Sequence, residues 1–598
     1  MSSFLLVSLN IDAILGEITL HKRRNKLDAV AKGKGLGDAY AATLSRIKAQ
    51  PESRSKLGME VLMWASHAER PLHADELRHA LGVEEGSIDL NSQNIPAIET
   101  LLECSLGLVT VEESSSTVRL VHHTLQEHLS NNPNLFLKPH SVIAEVCLTY
   151  LNFRRIKDFS PALRSIPSTA SLVEYASCHW GSHATRETTE SAKALALKLL
   201  DGYEKHISSK ILLLRGVRFW SQPFDQEDIP RGFTGLHGAA YFGCEEITIA
   251  LLETNKWDVQ ATDFNGSTAL AWAAGRGHEG VVKALLQRSD VNPTTADTIY
   301  GQTPLSWAAK NGHEGVVKIL LQWNEADPDK ADKWSRTPLM LAAQNGHEGV
   351  VRILLDRNDI DPNKTDDWSQ TPLLEAAENG HKGVVRALLE QSKVSPNKAD
   401  KWSQTPLSLA AKNGHEGIVR MLLGRNEVNP DKADDWSQTP LSWAAKNGYE
   451  GIVRMLLRRD VVNPNTADTV YGETPLLLAV KNGHEGVVRI LLERNDVNPN
   501  TADNEYGQTP LSCAAENGRM GVVMALLERN DVNPDRADKW NRTPLSWALE
   551  NGHERIVKLL RERTDLIPNP PASLQSTEPF SLEQTEPFEP PSKKIRLS

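Results

Sequence analysis

From residue 231 to residue 566 the apolar and polar positions of this chain repeat with one period. The tripeptide T-P-L, or a near variant, begins at Thr234, Thr268, Thr303, Thr337, Thr371, Thr405, Thr439, Thr474, Thr509 and Thr543, in steps of 34 or 35 residues. Within most steps an Ala-rich stretch leads to a Gly-His pair, as at Gly312-His313, Gly346-His347 and Gly380-His381. A V-V or I-V pair, a Leu-Leu pair and an Asn-Pro or Asp-Pro follow. In one such unit Thr303 is placed to cap a helix, with Pro304 in the first turn, where its missing N–H costs nothing. Leu305, Ala308 and Ala309 make a narrow apolar face, and Gly312 ends the helix. Val316, Val317, Leu320 and Leu321 recur at helical spacing on a second helix, which Pro328 is predicted to stop. A unit of this size cannot bury its own apolar face, so neighbouring units must stack.

Ahead of the repeats the pattern changes. It predicts helices over Leu57–Ala68, Leu72–Leu81 and Ile95–Leu106, then strands over Leu108–Val111 and Val118–Val121 around the polar turn Glu112–Thr117. That is the element order of a winged helix. Residues 140–230 are helical by pattern, as in Ala144–Asn152 and Ala192–Leu200. The predicted fold is therefore mostly α: a solenoid of about ten repeats preceded by a winged-helix domain and a helical linker. The boundaries read 1–52 for a helical remnant, 53–130 for the winged helix and 131–230 for the linker. The repeats take 231–566 and a Pro- and Glu-rich tail 567–598.

The repeat unit, T-P-L…A-A…G-H…V-V…L-L, resembles the ankyrin repeat, a turn followed by two helices. The histidine usual after T-P-L is replaced here by Ser, Leu, Met or Ala, which predicts one lost hydrogen-bonding anchor per unit. The stretches LGMEVLMWASHAERPLHADELRHALGV and LLECSLGLVTVEESSSTVRLVHHTLQEHL resemble the winged-helix segment of fungal NACHT–ankyrin proteins. A related segment occurs in the family labelled GPI inositol-deacylase winged helix. The L-x-R-I of Thr43–Ile47 resembles the tail of a NACHT region. The resemblance implies an intracellular NLR-like receptor or scaffold in nonself recognition. It also implies a winged-helix histidine, here His122, that contacts a bound diphosphate; without a P-loop in the same chain that role has no ligand, and His122 reads as structural.

Composition narrows the chemistry. The 598 residues suggest roughly four units at about 150 residues each. With a net charge of -11 there is no global basic field for nucleic acid or anionic membrane. The predicted recognition helix adds Glu99 and Glu103 and no basic residue, which argues against DNA. The five cysteines are scattered without metal-ligand spacing, as in a reducing compartment. No apolar run is long enough to span a membrane, and Phe4–Leu9 lacks the basic flank of a signal peptide. The expected location is the cytoplasm, with the nucleus second because of Lys593, Lys594 and Arg596 in the tail.

No enzyme motif is complete. Gly33-Lys34-Gly35-Leu36-Gly37 is the nearest approach to a P-loop, but Gly35 stands where a magnesium-binding hydroxyl belongs. The chain is expected to need no cofactor, and to have lost the nucleotide-binding half that a NACHT switch requires. A nucleotide-dependent switch with its P-loop elsewhere is the alternative reading. The Gly-His histidines, one per repeat, read as structural rather than as metal ligands. Asp359, Asp361 and Asn363 imitate a calcium loop whose glycine and glutamate positions hold Lys364 and Gln370. No metal is expected.

The turn tips are the strongest candidates for binding. Four read D-x-W-S, and a longer form carries Tyr-Gly at Tyr300, Tyr471 and Tyr506, which accounts for the 35-residue steps. Lys333-Trp334, Asp367-Trp368, Lys401-Trp402, Asp435-Trp436 and Lys539-Trp540 place an indole beside a charge of changing sign. These ten residues are the predicted contacts for a protein partner lying on the concave face, either exposed or stacked as a ladder. Trp272, Trp307, Trp443 and Trp547, on the first helix of their repeats, read as packing.

Overall fold

The computed structural model describes residues 19–24, 36–160, 166–216, 231–323 and 327–564. Phe4–Leu9, the Gly33–Gly35 stretch and the tail from 567 lie outside them, as does most of the 1–52 segment. The chain divides into two compact units, one ending at Asp435 and one beginning at Trp436.

The first unit opens with α1 (Leu36–Lys48), α2 (Glu52–His67), α3 (Ala74–Leu81) and α4 (Ile98–Cys104). A hairpin of β1 (Val109–Glu112) and β2 (Thr117–Leu120) follows, then α5 (His123–Ser130). Val109 pairs with Leu120 and Val111 with Val118, so Val109 and Val118 turn into the core. Val118 N–H also donates to the Leu72 carbonyl at 2.8 Å, which ties the hairpin to the loop before α3. This is the winged-helix order read from the sequence. α4 begins three residues later than the pattern suggested, because Ile95 and Ala97, on either side of Pro96, are extended after a short 3₁₀ turn at Ser92–Asn94. α2 and α4 touch through Gly58, where a Cβ would lie 2.5 Å from the Cys104 carbonyl. Only glycine allows that approach.

α6 (Pro139–Leu151), α7 (Val173–Arg186), α8 (Glu190–Leu200) and α9 (Ile207–Ile211) follow. α7 packs along α6 and lays Tyr175 against Trp64 of α2, ring centroids 6.0 Å apart. α8 covers the first repeat, where Gly235 and Gly238 lie against Leu200 and Tyr203.

Among the described residues ten helix pairs make up the repeats, six in the first unit and four in the second. Each is built as the pair Pro304–Asn311 and Glu314–Leu321 shows. Thr303 Oγ1 accepts from the Ser306 N–H at 3.2 Å, and Gly312 closes the first helix at φ +80°. Val316, Val317 and Leu320 are fully buried, whereas Leu321 is half-buried. The second helix ends at Leu321, well before Pro328, so exhaustion of the apolar face rather than proline terminates it.

The Gly-His pairs are bolts between repeats. His313 Nε2 meets the Gly275 carbonyl at 3.0 Å, His347 the Lys310 carbonyl at 2.9 Å and His381 the Gln344 carbonyl at 2.9 Å. Cys244, Tyr449 and Arg519 stand in place of the histidine in three repeats, and Arg519 reaches the equivalent carbonyl, of Lys481, at 3.1 Å. Each imidazole also lies flat on the glycine one repeat earlier: a Cβ at Gly312 would come within 2.5 Å of His347 Nδ1. Gly312→Ala therefore combines left-handed strain with a clash. It is expected to destabilise the repeats by about 2–3 kcal/mol in urea unfolding. A loss below ~1 kcal/mol would mean that the imidazole moves aside freely.

The anchor expected to be lost after T-P-L is kept in part. The first repeat retains His237, whose Nδ1 lies 2.8 Å from Thr234 Oγ1 and whose Nε2 meets the Ser267 carbonyl at 3.1 Å. Elsewhere serine substitutes within the helix turn, as where Ser408 Oγ accepts from the Thr405 N–H at 2.8 Å.

Candidate protein-interaction face

The fingers between helix pairs rest on aspartates that the sequence reading left without a role. Asp332 Oδ1 accepts from the N–H groups of Trp334 (3.0 Å) and Arg336 (2.9 Å), which closes the turn. Its Oδ2 takes the Arg336 guanidinium at 2.8 Å. Asp263, Asp297, Asp366, Asp400, Asp468, Asp503 and Asp538 repeat the arrangement and are buried. The signal was present as an Asp at every finger base, but a polar turn residue does not by itself announce burial.

The tryptophans of the first helix complete this device. Trp272 Nε1 donates to Asp263 at 2.9 Å, Trp307 Nε1 to Asp297 at 3.1 Å and Trp547 Nε1 to Asp538 at 3.1 Å. All three indoles are buried, and Trp443 is half-buried. They are packing residues with a polar duty.

The two turn forms differ in how they supply a left-handed residue. In D-x-W-S it is the serine, with φ of 64° at Ser335, 61° at Ser369 and 62° at Ser403, and Asn541 takes it at 61°. In the longer form it is Gly301, Gly472 or Gly507. The extra residue thus accommodates a Tyr-Gly in place of a strained serine.

Within the first unit the finger tips are linked in a ladder. Lys333 N–H donates to the Tyr300 carbonyl (2.9 Å), Asp367 N–H to Trp334 (3.1 Å), Lys401 N–H to Trp368 (3.0 Å) and Asp435 N–H to Trp402 (3.1 Å). Side chains reinforce it. Lys333 Nζ reaches the Thr298 carbonyl at 2.5 Å, while Asp367 and Asp435 accept from Ser335 (2.6 Å) and Ser403 (2.5 Å). Lys401 Nζ sits 5.6 Å from the Trp368 ring centre and 4.5 Å from that of Trp402. The changing charges therefore serve the ladder as well as the surface.

The indoles remain partly open: Trp368 is 37% exposed and Trp402 36%. Trp334 is half-buried, with Tyr300 5.7 Å away and Arg336 over its ring. In the second unit Trp436 is 41% exposed and its carbonyl accepts from Thr469 N–H at 3.1 Å. Trp540 is 54% exposed and stacks 5.5 Å from Tyr506, and Lys539 Nζ reaches the Asn504 carbonyl at 2.5 Å.

His122 lies apart from this face. It is the N-cap of α5, its Nδ1 accepting from the Thr124 N–H at 3.3 Å. Glu103 of α4 pairs with Arg54 at 2.9 Å. Among the described residues no helix is long and apolar enough to cross a membrane, and no group of three or more His, Cys, Asp or Glu is placed to hold a metal ion.

One residue breaks the pattern of the first helices. Where other repeats place Trp307, Leu341 or Leu409, the fifth has Glu375, and its side chain is buried. Burial, then the neighbouring carboxylates Glu378 and Asp366, push its carboxyl up to about 7, against the pull of Arg336. A carboxyl raised in the fold binds protons that the unfolded chain has released, so stability falls as pH rises from about 4.5 to about 7. Above that range the ionised group costs on the order of 3 kcal/mol. Glu375→Leu is expected to recover most of this at pH 8 and little at pH 4.5, read as urea midpoints of both proteins at both values. Parallel pH curves would refute the assignment.

Repeated helix pairs, stacked through histidine bolts and joined by a finger ladder, define a protein-interaction scaffold. Models of ankyrin repeats, three copies each, match residues 208–297, 289–366, 358–434, 423–503 and 495–569. The chain belongs to the ankyrin-repeat family. A model of the GPI inositol-deacylase winged helix domain matches residues 47–138, so a winged helix of that type precedes the repeats. The repeat match begins inside the segment read as linker, whose α8 lies on the first pair. No curated protein matches the chain.

Proposed function

We propose that this protein is a non-catalytic receptor or scaffold of the NACHT–ankyrin kind, acting in NLR-like signalling or nonself recognition. Its repeats bind a protein partner across the finger tips and the adjoining concave face, while the winged helix and linker pass the binding event to a signalling module. The observation that carries the reading is the strip from Trp334 through Asp367, Trp368 and Lys401 to Trp402. There Trp368 and Trp402 stay over a third exposed, with Lys401 beside both rings. Rigid aromatic area held in register is what binding hot spots use.

The test is affinity capture from the organism's own lysate with the whole chain, run beside the Trp368→Ala/Trp402→Ala variant. A protein retained by the first and lost by the second supports the reading. Equal recovery on both would place the contact elsewhere.

A further inference from the structure

A second concavity in the first unit has a different chemistry. About 630 Å³ in volume, it is walled by the winged helix, α7, the turn after α9 and the first two repeats. That size lies inside the range of small-molecule sites. Its lining carries four guanidinium groups, from Arg70, Arg186, Arg215 and Arg276, against one carboxylate, Glu174. In a chain of net charge -11 this is a local inversion of sign.

The four arginines are held in different ways. Arg70 is gripped by Glu76 through two bonds of 2.6 and 2.8 Å, and Arg186 by Glu69 at 2.7 Å. Neither of those carboxylates lines the cavity, so each fixes a guanidinium from behind. Arg215 pairs loosely with Glu174, at 3.6 Å, and its side chain is 66% exposed. Arg276 lies 4.0 Å over the Tyr241 ring and has no acidic partner among the described residues. Arg186 and Arg276 end helices, where a cation is ordinary. Arg215 likewise closes the helical turn Leu212–Gly216, whereas Arg70 lies in the loop before α3. His179 and Ser182 of α7 add further polar groups to the same wall.

We infer that this cavity binds a compact polyanion carrying two or more phosphate groups, recognised by charge alone. Guanidinium forks match phosphate oxygens, and a volume of this size exceeds the needs of a single oxyanion. A nucleotide base finds no platform there, because Tyr241 and Phe242 are buried and the Tyr241 face is already occupied by Arg276. The bound anion would bridge Arg70 of the winged helix to Arg276 of the second repeat, so binding would stiffen that junction. The inference stands apart from the protein-partner reading and does not depend on it.

Isothermal titration of the full chain with inorganic tripolyphosphate tests it. Saturable binding at one site per chain is expected. Arg215→Glu together with Arg276→Glu should weaken it at least ~10-fold, since both are exposed contacts at the cavity mouth. Arg276→Gln alone serves if the double variant does not fold. Arg458→Glu, an exposed change in the second unit, should leave the affinity unchanged. Three results would each overturn the proposal: no saturable binding by the native chain, equal weakening by Arg458→Glu, or ATP binding more than ~10-fold tighter than tripolyphosphate, which would mean that a base is recognised.

Discussion

Trp307→Ala should destabilise the first unit by about 3–5 kcal/mol. The ring is 5% exposed, meets Tyr300 edge-on at 6.0 Å and lies under Lys310 Nζ at 4.9 Å. Its Nε1 is one of the donors that hold Asp297 at the finger base, so truncation opens a cavity and loosens the turn together. Gln302 N–H still donates to that same oxygen at 3.1 Å, which keeps the carboxylate from being orphaned. Urea unfolding read by far-ultraviolet circular dichroism measures the loss. Trp307→Phe should recover the packing but not the hydrogen bond, and so fall between. A loss under ~1 kcal/mol in Trp307→Ala would contradict the packing role.

Trp368→Ala combined with Trp402→Ala should weaken the partner by about 2–4 kcal/mol, roughly 30- to 1,000-fold in Kd. Freely projecting tips would leave the melting temperature almost unchanged. The structure corrects that expectation, because nearly two thirds of each ring is covered and Lys401 lies between them. A moderate loss of stability, about 1–2 kcal/mol for the pair, should therefore accompany the loss of binding. The two effects separate at low temperature, where the variant is fully folded. If it then binds as tightly as the native chain, the indoles are a structural ladder and the contact lies on the first helices of the repeats.

The sequence by itself determined the repeat and its ends. Thr303, Pro304 and Gly312 act within one helix, through capping and backbone geometry, so their spacing is enough to read them. The apolar pairs at Val316-Val317 and in the winged-helix hairpin are legible for the same reason. What the pattern does not carry is which partner a side chain meets across repeats. Trp307 is legible as a packing residue, but not the bond its Nε1 makes to Asp297. Asp297 and Asp332 carry no local sign of burial, yet stacking buries them. Glu375 differs from Leu341 and Leu409 by one letter. Only burial beside Glu378 and Asp366 gives that letter its raised carboxyl. The arginine cavity joins residues 70 and 276, more than 200 positions apart. Local periodicity encodes a helix because its contacts lie three or four residues away, whereas a cavity is defined by chain segments that meet only after the whole unit has packed.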